Sequence, residues 1–399
     1  MPLQVAIVGA GPAGLYAAER LLKDGAGVVV IDRLASPYGL VRYGVAADHQ
    51  STKNVERVLA RVFQKGASYV GGVTLGSDVS LEDLTRCFDA VILATGAPRE
   101  RRLGVPGEDL PHVFSSLAVT GLMNVHPDHA GLALPQAVRS AVIVGAGNVA
   151  LDVARVLAKQ PDEFGGSDLD PALAEAIAAW PLGRIHIVAR RGAGETRFTP
   201  VELGELGHLK RARPVINPAD IPEGDSKILT LFRGFRAMTE ARPVEIHFHF
   251  NRSLRSISAH EVELNTGERL PADLVITAIG QEAGDLCGLP LENGHLANEH
   301  GRVRPGIYAV GWAKRGGSGV IGTNRNESQE VAELLLREVQ PAAKGGAGCL
   351  AALLAERGIK PWSFDDWTKL DTAEKAAAPE GRVRRKLWRD EELGKARGS

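Results

Sequence analysis

Two glycine-rich segments of this 399-residue chain have the spacing that brings a backbone close to a phosphate. The first runs Gly9-Ala10-Gly11-Pro12-Ala13-Gly14 and is followed by Asp32; the second runs Gly145-Ala146-Gly147-Asn148-Val149-Ala150 and is followed by Arg190 and Arg191. A carboxylate accepts a hydrogen bond from a free ribose 2′-hydroxyl and repels a 2′-phosphate, which a pair of arginines attracts. These residues predict an unphosphorylated adenosine cofactor at the first segment and NADP at the second.

Four residues of the first segment have a physical reason to be there. Gly9 permits a tight turn, Gly11 lets the backbone approach a pyrophosphate, and Gly14 lets a helix and a strand pack closely. Pro12 suits the first helical turn, where no amide donor is missed. The helix N-terminus adds amide donors and a partial positive charge. A glycine-rich turn that binds nothing is the alternative.

The predicted strands and helices around both segments support their interpretation as dinucleotide sites. Residues 5–8 are a short apolar run ending in glycine, typical of a parallel strand buried on both faces. A predicted helix at 12–23 and a strand at 28–31 follow, with Asp32 at the strand's carboxyl end. Residues 141–144, 148–159 and 185–188 repeat this order, with an insertion at 161–183. The strand–turn–helix–strand context makes a dinucleotide site the favoured interpretation.

The later chain predicts the domain arrangement. The sequence LVITAIG at 274–280 echoes AVILATG at 90–96, whereas a late strand at 307–311 and a late helix at 326–339 have no sheet of their own. We therefore predict an α/β chain of two Rossmann-like dinucleotide-binding domains, in which 101–305 is inserted between 1–100 and 306–399. Residues 244–250 and 262–264 alternate apolar and polar side chains, which predicts antiparallel strands. The charged tail after Pro379 is predicted to pack loosely.

Composition excludes several classes of protein. A formal net charge of −1 gives no case for bulk nucleic-acid or membrane binding, and no apolar run reaches 18 residues. Cys87, Cys287 and Cys349 are too few for a four-cysteine iron–sulfur cluster and form no C-x-x-C pair. Scattered cysteines and a strand starting almost at Met1, with no room for a leader, predict a cytoplasmic protein with reduced thiols.

Four separated motifs occur in order along the chain. They are YGLVRYGVA at 38–46 followed by Asp48-His49, GAGNVALDVAR at 145–155, Arg190-Arg191-Gly192 with Phe198-Thr199, and GWAKRG at 311–316 followed by GVIGTN at 319–324. Over about residues 3–375 the chain resembles the adrenodoxin reductase family, ferredoxin–NADP reductases related in fold to glutathione reductase. The glutamate synthase small subunit shares the wider fold, but YGLVRYGVA and GWAKRG favour the adrenodoxin reductase branch.

The resemblance implies FAD in the first site and NADPH in the second. The implied FAD residues are Gly9, Gly11, Pro12, Ala13, Gly14, Asp32, Leu40 and Val79, with Trp312, Gly319, Val320 and Ile321 at the isoalloxazine. The implied NADP residues are Gly147, Asn148, Val149, Ala150, Arg190, Arg191, Glu202 and Gly319. A glycine-rich loop that opens a helix also places amide donors where they stabilise a reduced anionic flavin. For Trp312, a core tryptophan is the alternative.

Three residues are candidates for direct participation in catalysis. The family resemblance implies that His49, Asp152 and Trp312 lie close to the flavin, where His49 and Asp152 assist proton movement. A hydrogen-bonded scaffold role is the alternative for His49. His247 and His249 share a strand face with Glu245, and the alternation explains them as a polar face, so no metal site is predicted.

The implied reaction is hydride transfer from NADPH to FAD, followed by single-electron transfer to a ferredoxin that supplies a cytochrome P450 or another oxygenase. A flavodoxin carrier is one alternative, and a reductase subunit related to the glutamate synthase small subunit is another. A flavin monooxygenase and a non-catalytic FAD-binding scaffold are less favoured, because no substrate pocket is marked and a scaffold needs no arginine pair.

Basic clusters are candidates for the surface that meets an acidic carrier. They are Arg99, Arg101 and Arg102; Lys210, Arg211 and Arg213; and Arg233 with Arg236. The resemblance implies that Arg211, Arg233 and Arg236 dock the carrier, which would make association fast and salt-sensitive. An ordinary solvated face is the alternative. The resemblance also implies a monomer.

Overall fold

The computed structural model describes residues 1–319 and 321–398, which form two large sheets. The first sheet has six strands, in the spatial order Arg302–Arg304, Ile307–Ala309, Ala90–Leu93, Gln4–Val8, Gly27–Asp32 and Ser68–Gly71. Its strands are parallel except for the edge strand Arg302–Arg304, which is antiparallel to its neighbour. Parallel strands place their carboxyl ends along one edge, where ligands of such sheets bind.

The second sheet is built in the same way. Its six parallel strands have the order Val113–Ser115, Leu274–Thr277, Ser140–Val144, Arg184–Val188, Val244–His249 and Ala212–Ile216. An antiparallel sheet of Leu254–Ile257, Glu261–Leu264 and Arg269–Pro271 packs against one face of it. Two short ribbons pair Arg99–Glu100 with Gln281–Glu282 and Leu291–Glu292 with His295–Leu296.

Helices cover both faces of the first large sheet and one face of the second. The α-helices are Pro12–Lys23, Leu40–Tyr43, Gln50–Lys53, Glu56–Leu59, Arg61–Gln64, Leu81–Cys87, Ser116–Met123, Asn148–Ala158, Pro171–Ala178, Pro200–Glu205, Lys227–Arg236, Trp312–Arg315, Ile321–Glu338, Gly346–Glu356, Phe364–Ala376 and Asp390–Arg397. Short 3-10 helices occur at Pro161–Phe164, Ala193–Glu195, Leu206–His208 and Pro218–Asp220. Four apolar clusters fill the spaces between these layers.

The predicted return of the chain to the first sheet is confirmed. Ile307–Ala309 pairs in parallel with Ala90–Leu93, and helix Ile321–Glu338 packs on Pro12–Lys23. The two chain crossings between the sheets lie together, because Arg99–Glu100 pairs with Gln281–Glu282. This arrangement supports an inserted second domain, and the boundaries at 101 and 305 stay a prediction.

The predicted antiparallel pairing of residues 244–250 is wrong. Val244–His249 is parallel to both neighbours, whereas Glu261–Leu264 is antiparallel, as predicted. In the parallel strand, Val244, Ile246 and Phe248 are buried in the helix-covered core, while the opposite face is half-buried. Alternation therefore reports one covered face and not the direction of pairing.

The prediction of reduced thiols is wrong for two of the three cysteines. Cys87 and Cys349 form a disulfide across a sequence separation of 262 residues. Cys87 ends helix Leu81–Cys87, and Cys349 belongs to helix Gly346–Glu356; both helices pack on one face of the first sheet. Topology brings the two cysteines together, and their spacing in the sequence gave no sign of it. Cys287 is free.

The predicted loose packing of the tail is wrong for residues 381–387. Val383 N donates to Ser167 O at 3.0 Å, and the side chains of Arg384 and Lys386 are 8% and 0% exposed. Each buried cation has an acidic partner, Arg384 with Glu374 and Lys386 with Asp168. Paired charges can be buried where single ones cannot. The tail thus forms a strap from the first sheet's domain to the insertion at 161–183.

Among the residues that the structure describes, no helix is both long and apolar enough to cross a membrane.

Candidate functional site

Two cradles of equivalent construction lie at the carboxyl edges of the two large sheets. Gly9 has φ +111° and Gly145 has φ +148°, which favour glycine. A Cβ at Gly9 would lie 2.3 Å from Ala94 O, and one at Gly145 would lie 2.2 Å from Ala278 O. Those alanines occupy the same position, the fifth, in the two segments that echo each other, AVILATG and LVITAIG. The echo therefore marks the strand against which each glycine turn closes.

Each cradle is open where a phosphate would sit. Gly11 and Gly147 are the N-cap residues of Pro12–Lys23 and Asn148–Ala158, and a Cβ at either would meet nothing within 4 Å. Beside the first cradle, the buried hydroxyl of Thr95 has no hydrogen-bond partner among the described residues. Free amides at a helix start and an unpartnered hydroxyl fit a bound dinucleotide.

Asp32 lies at the end of the second strand of the first sheet, as predicted. Its Oδ2 accepts from Ala10 N at 2.7 Å and its Oδ1 from Leu34 N at 2.9 Å. Burial raises the pKa of Asp32 above its ordinary value, against the opposing effect of these hydrogen bonds. A carboxylate has about four acceptor positions, so Asp32 keeps capacity for a ribose hydroxyl.

The YGLVRYGVA segment lies against the first cradle. Tyr38 N donates to Ala10 O at 2.8 Å, and a Cβ at Gly39 would lie 3.2 Å from the Cα of Gly11. This contact places Leu40 beside the cradle. Val79 is buried, and its amide and carbonyl both bond within the chain. Its contact with FAD stays a prediction.

The GWAKRG segment also meets the first cradle. A Cβ at Gly311 would lie 2.6 Å from the Cβ of Ala13, so Trp312 starts its short helix directly beside the fingerprint. The indole Nε1 of Trp312 donates to Ser318 O at 2.8 Å. This bond folds the glycine loop back, and Gly319 there has φ +83°. Ile321 packs on the core of the first domain, and Val320 lies outside the described residues.

Asn148 ties the second cradle to the segment that follows Arg190 and Arg191. Its Oδ1 accepts from Thr199 N at 2.8 Å, which explains a polar residue at this position of the fingerprint. Ala150 is fully buried, whereas Val149 is 41% exposed at the helix start. Val149 is thus available to a ligand, and its role in NADP binding stays a prediction.

Arg190 and Arg191 follow strand Arg184–Val188 and are exposed. Within 1–319 and 321–398, neither guanidinium has an ion-pair or hydrogen-bond partner, so both charges are available to an anion. Arg197 is also exposed, and its backbone amide donates to Ala146 O at 2.9 Å. The sequence-based candidates did not include Arg197.

The structure places His49 and Asp152 in one charged cluster. The His49 Nδ1 lies 3.7 Å from Asp152 Oδ1, and its Nε2 lies 3.0 Å from Glu205 Oε2. Glu202, predicted to bind NADP, lies here as well, 3.6 Å from His49 Nε2. The Arg155 guanidinium contacts Asp152 at 2.7 Å and Glu205 at 3.0 Å. The cluster joins the first domain's loop to the first helix of the second cradle.

This cluster contains carboxyl groups of different acidity. Burial raises the pKa of Asp152, and burial with the nearby Asp152 charge raises the pKa of Glu202 to about 6. Although burial opposes it, hydrogen bonds from Arg155 and Lys159 hold the pKa of Asp48 well below its ordinary value. His49, Glu202 and Glu205 are residues of the types that bind metal ions, and they lie close together here. The Arg155 guanidinium, however, contacts both glutamates and already supplies a positive charge between them.

The basic clusters differ in how far their charge is neutralised. Arg102 pairs with Asp109, and Lys210 with Asp162. The Arg211 guanidinium donates to the carbonyls of Leu157 and Ala158, at the end of a helix. Arg233 and Arg236 are exposed, and within the described ranges neither has a carboxylate partner. Arg233 and Arg236 thus keep positive charge that no described carboxylate neutralises, and docking by Arg211, Arg233 and Arg236 stays a prediction.

Comparison with known proteins decides the family. The chain is 34% identical over 98% of its length to the mitochondrial NADPH:adrenodoxin oxidoreductase of Arabidopsis thaliana, covering 94% of that protein. It is 34% identical over 97% of its length to the NADPH-ferredoxin reductase FprA of Mycobacterium tuberculosis, covering 97% of that protein.

The chain belongs to the adrenodoxin reductase family. Residues 3–192 also match the pyridine nucleotide-disulphide oxidoreductase family model. The solved structure of Mycobacterium tuberculosis FprA in complex with NADPH superposes with a TM-score of 0.94 at 31% identity, covering both chains completely. The structure of Lactococcus lactis thioredoxin reductase aligns at 18% identity with a TM-score of 0.52, over 84% of this chain and 98% of the thioredoxin reductase chain. This likeness shows a shared fold alone.

Membership of the adrenodoxin reductase family confirms the predicted fold class of two nucleotide-binding domains. Three cluster residues escaped the sequence-based candidates: Asp48, Arg155 and Glu205. Asp152 with Arg155, and Glu202 with Glu205, are spaced by three residues on helices, which is the spacing of side chains on one face. That spacing was a usable signal. Their convergence on His49 depends on the tertiary fold.

Proposed function

We propose that this protein is an NADPH-dependent flavoprotein reductase that delivers electrons one at a time to a small iron–sulfur carrier of the ferredoxin type. The observation that carries the proposal is the pair of equivalent glycine cradles with opposite charges at the next strand end, Asp32 in one and Arg190 with Arg191 in the other. The names of its relatives support the same electron donor and the same class of acceptor.

FAD, when bound, supplies the conversion of a two-electron hydride into single electrons. The first cradle would hold it: the Gly11 turn faces its pyrophosphate, Asp32 its ribose, and the loop folded back by Trp312 its ring system. The second cradle would hold NADPH, with Arg190 and Arg191 at the 2′-phosphate. The chain's own task is positioning and electrostatic stabilisation, since hydride and electron transfer need no nucleophile from the protein.

The His49 cluster has a role in this scheme that follows from its charges. Its carboxyl groups and Arg155 fix the His49 ring between Asp152 and Glu205. An imidazole fixed in this way offers Nδ1 and Nε2 as hydrogen-bond donor and acceptor. We assign His49 and Asp152 to proton movement beside the flavin, and Trp312 to the wall of its pocket.

An anaerobic titration tests the proposed function. Reconstituted protein is mixed with NADPH and then with oxidised ferredoxin, and the absorbance of flavin and carrier is followed. We expect NADPH to bleach the flavin and ferredoxin to restore it while the ferredoxin is reduced. If NADPH leaves the flavin oxidised, the proposal is wrong. If only flavodoxin accepts the electrons, the carrier assignment alone is wrong.

The patch of Arg233 and Arg236 is the proposed docking surface. The double substitution Arg233→Glu with Arg236→Glu should lower kcat/KM for ferredoxin about tenfold at low salt, because the charges meet an acidic partner. Flavin reduction by NADPH should not change. The control is Arg255→Glu, an exposed arginine on the small antiparallel sheet. An unchanged kcat/KM in the double variant would place docking elsewhere.

The supply of a cytochrome P450 or another oxygenase, the monomeric state and the cytoplasmic location stay predictions. The Cys87–Cys349 disulfide contradicts one ground for the cytoplasmic location, the expectation that scattered cysteines are reduced.

A further inference from the structure

Arg197 lies beside the open part of the second cradle. Its amide donates to Ala146 O at 2.9 Å, and its backbone forms a parallel bridge with that of Gly147. Gly147 is the N-cap of Asn148–Ala158, and a Cβ there would meet nothing within 4 Å. The Cα of Arg197 is therefore next to the point at which a dinucleotide's pyrophosphate meets the helix start.

The Arg197 side chain points away from the protein core. Its neighbour Phe198 is 5% exposed and makes edge contacts with Phe232 and Phe248. Successive side chains of an extended segment point to opposite sides, so Arg197 lies opposite Phe198. The residue is exposed, and in the part of the chain that the structure describes its guanidinium has no ion-pair or hydrogen-bond partner.

The three arginines of this region differ in position. Arg190 and Arg191 follow the end of strand Arg184–Val188, where the ribose of a dinucleotide is read. Arg197 lies at the helix start, where amides and the helix dipole already favour an anion. A guanidinium fork can donate two hydrogen bonds to a phosphate.

On the basis of the proposed function, we propose that Arg197 binds the pyrophosphate of the nicotinamide nucleotide, separately from the 2′-phosphate. Arg197 would then strengthen the binding of NADP and NAD alike, and it would contribute nothing to selection between them. Selection would rest on Arg190 and Arg191.

Equilibrium titrations of the FAD-loaded protein test this division. Dissociation constants for NADP⁺, NAD⁺ and 2′-AMP are measured for the unaltered protein, Arg197→Ala and the double variant Arg190→Ala with Arg191→Ala. We expect Arg197→Ala to weaken NADP⁺ and NAD⁺ each about tenfold, the loss of one charge-assisted hydrogen bond, and to leave 2′-AMP unchanged. Arg197→Lys should recover part of the loss. The double variant should lose NADP⁺ and 2′-AMP and keep NAD⁺.

The control Arg255→Ala removes an exposed positive charge from the small antiparallel sheet. Loss of 2′-AMP binding in Arg197→Ala would make Arg197 a reader of the 2′-phosphate, and unchanged constants for all three nucleotides would make it a solvated side chain; either result overturns the assignment. If the unaltered protein binds no NADP⁺, the proposed function fails first, and the assignment falls with it.

Discussion

The two cradles share a backbone and differ in charge. In both, a glycine with positive φ closes against an alanine carbonyl, and an open N-cap glycine follows two residues later. In the first cradle the next strand ends with Asp32, whose carboxylate accepts a hydrogen bond from the Ala10 amide. In the second the next strand is followed by Arg190 and Arg191, which have no partner among the residues that the structure describes. We therefore propose that the glycines define a dinucleotide site in general, and that the residues at the next strand end decide which dinucleotide it takes.

Blocking either cradle sterically should have the largest effect. Gly9→Ala forces a Cβ against Ala94 O and a strained φ, at a cost of about 3 kcal/mol. We expect this variant to lose most of its FAD, measured as the ratio of flavin to protein absorbance. Gly145→Ala should keep its FAD and lose NADP⁺ binding. Gly348→Ala, in a helix with open space at its Cβ, is the control. Equal losses of FAD in both variants would show that the cradles are not independent.

The strap formed by residues 381–387 joins the two regions that carry the cradles, and a substitution there tests whether its buried charges stabilise that junction. Lys386 Nζ donates to Arg42 O at 3.1 Å and contacts Asp168 Oδ2 at 2.9 Å. Lys386→Met keeps the Lys53–Asp168 pair and removes these bonds, so we expect a loss of about 1 to 2 kcal/mol. The measurements are Tm and tryptic cleavage at residues 382–385, which should become faster. Lys395→Met, at an exposed pair, is the control. An unchanged cleavage rate would mean that other contacts hold the strap.

Substitution of Glu202, at the junction between the cradles, should have the smallest effect on stability. Its pKa is raised from 4.5 to about 6, so the folded protein binds this proton more tightly than the unfolded chain does. The stabilising contribution is present below pH 4.5 and is lost as the pH rises through 6. Glu202→Gln should therefore be more stable than the unaltered protein above pH 6, by about 1 kcal/mol, and lose this advantage towards pH 4.5.

Thermal unfolding across this pH range measures the difference, with the exposed Glu82→Gln as a control. A difference between Glu202→Gln and the unaltered protein that does not change with pH would contradict the role of burial at Glu202.

Local signals in the sequence predicted much of the fold and both cradles. Helix Pro12–Lys23 has the predicted bounds, and the late strand Ile307–Ala309 returns to the first sheet as expected. These features depend on apolar runs, glycine turns and strand order, all of which are visible within short stretches of sequence.

The errors all concern partners that are distant in the sequence. The Cys87–Cys349 bond needs two helices on one sheet face, and the buried Lys386 needs Asp168 from the insertion. A charged tail looks solvated until its counter-charges are known, since burial of a lone ammonium is unfavourable. In the same way, the cluster around His49 takes its carboxylates from two helices that only the tertiary fold brings together.

The central claim is that charge at the strand end selects the nucleotide. Its most direct test is the ratio of dissociation constants for NADP⁺ and NAD⁺ in the double variant Arg190→Ala with Arg191→Ala. The account predicts that NADP⁺ binding weakens about a hundredfold, NAD⁺ binding changes less than about twofold, and FAD content stays constant. An equal loss for both nucleotides, or no loss for NADP⁺, would contradict it.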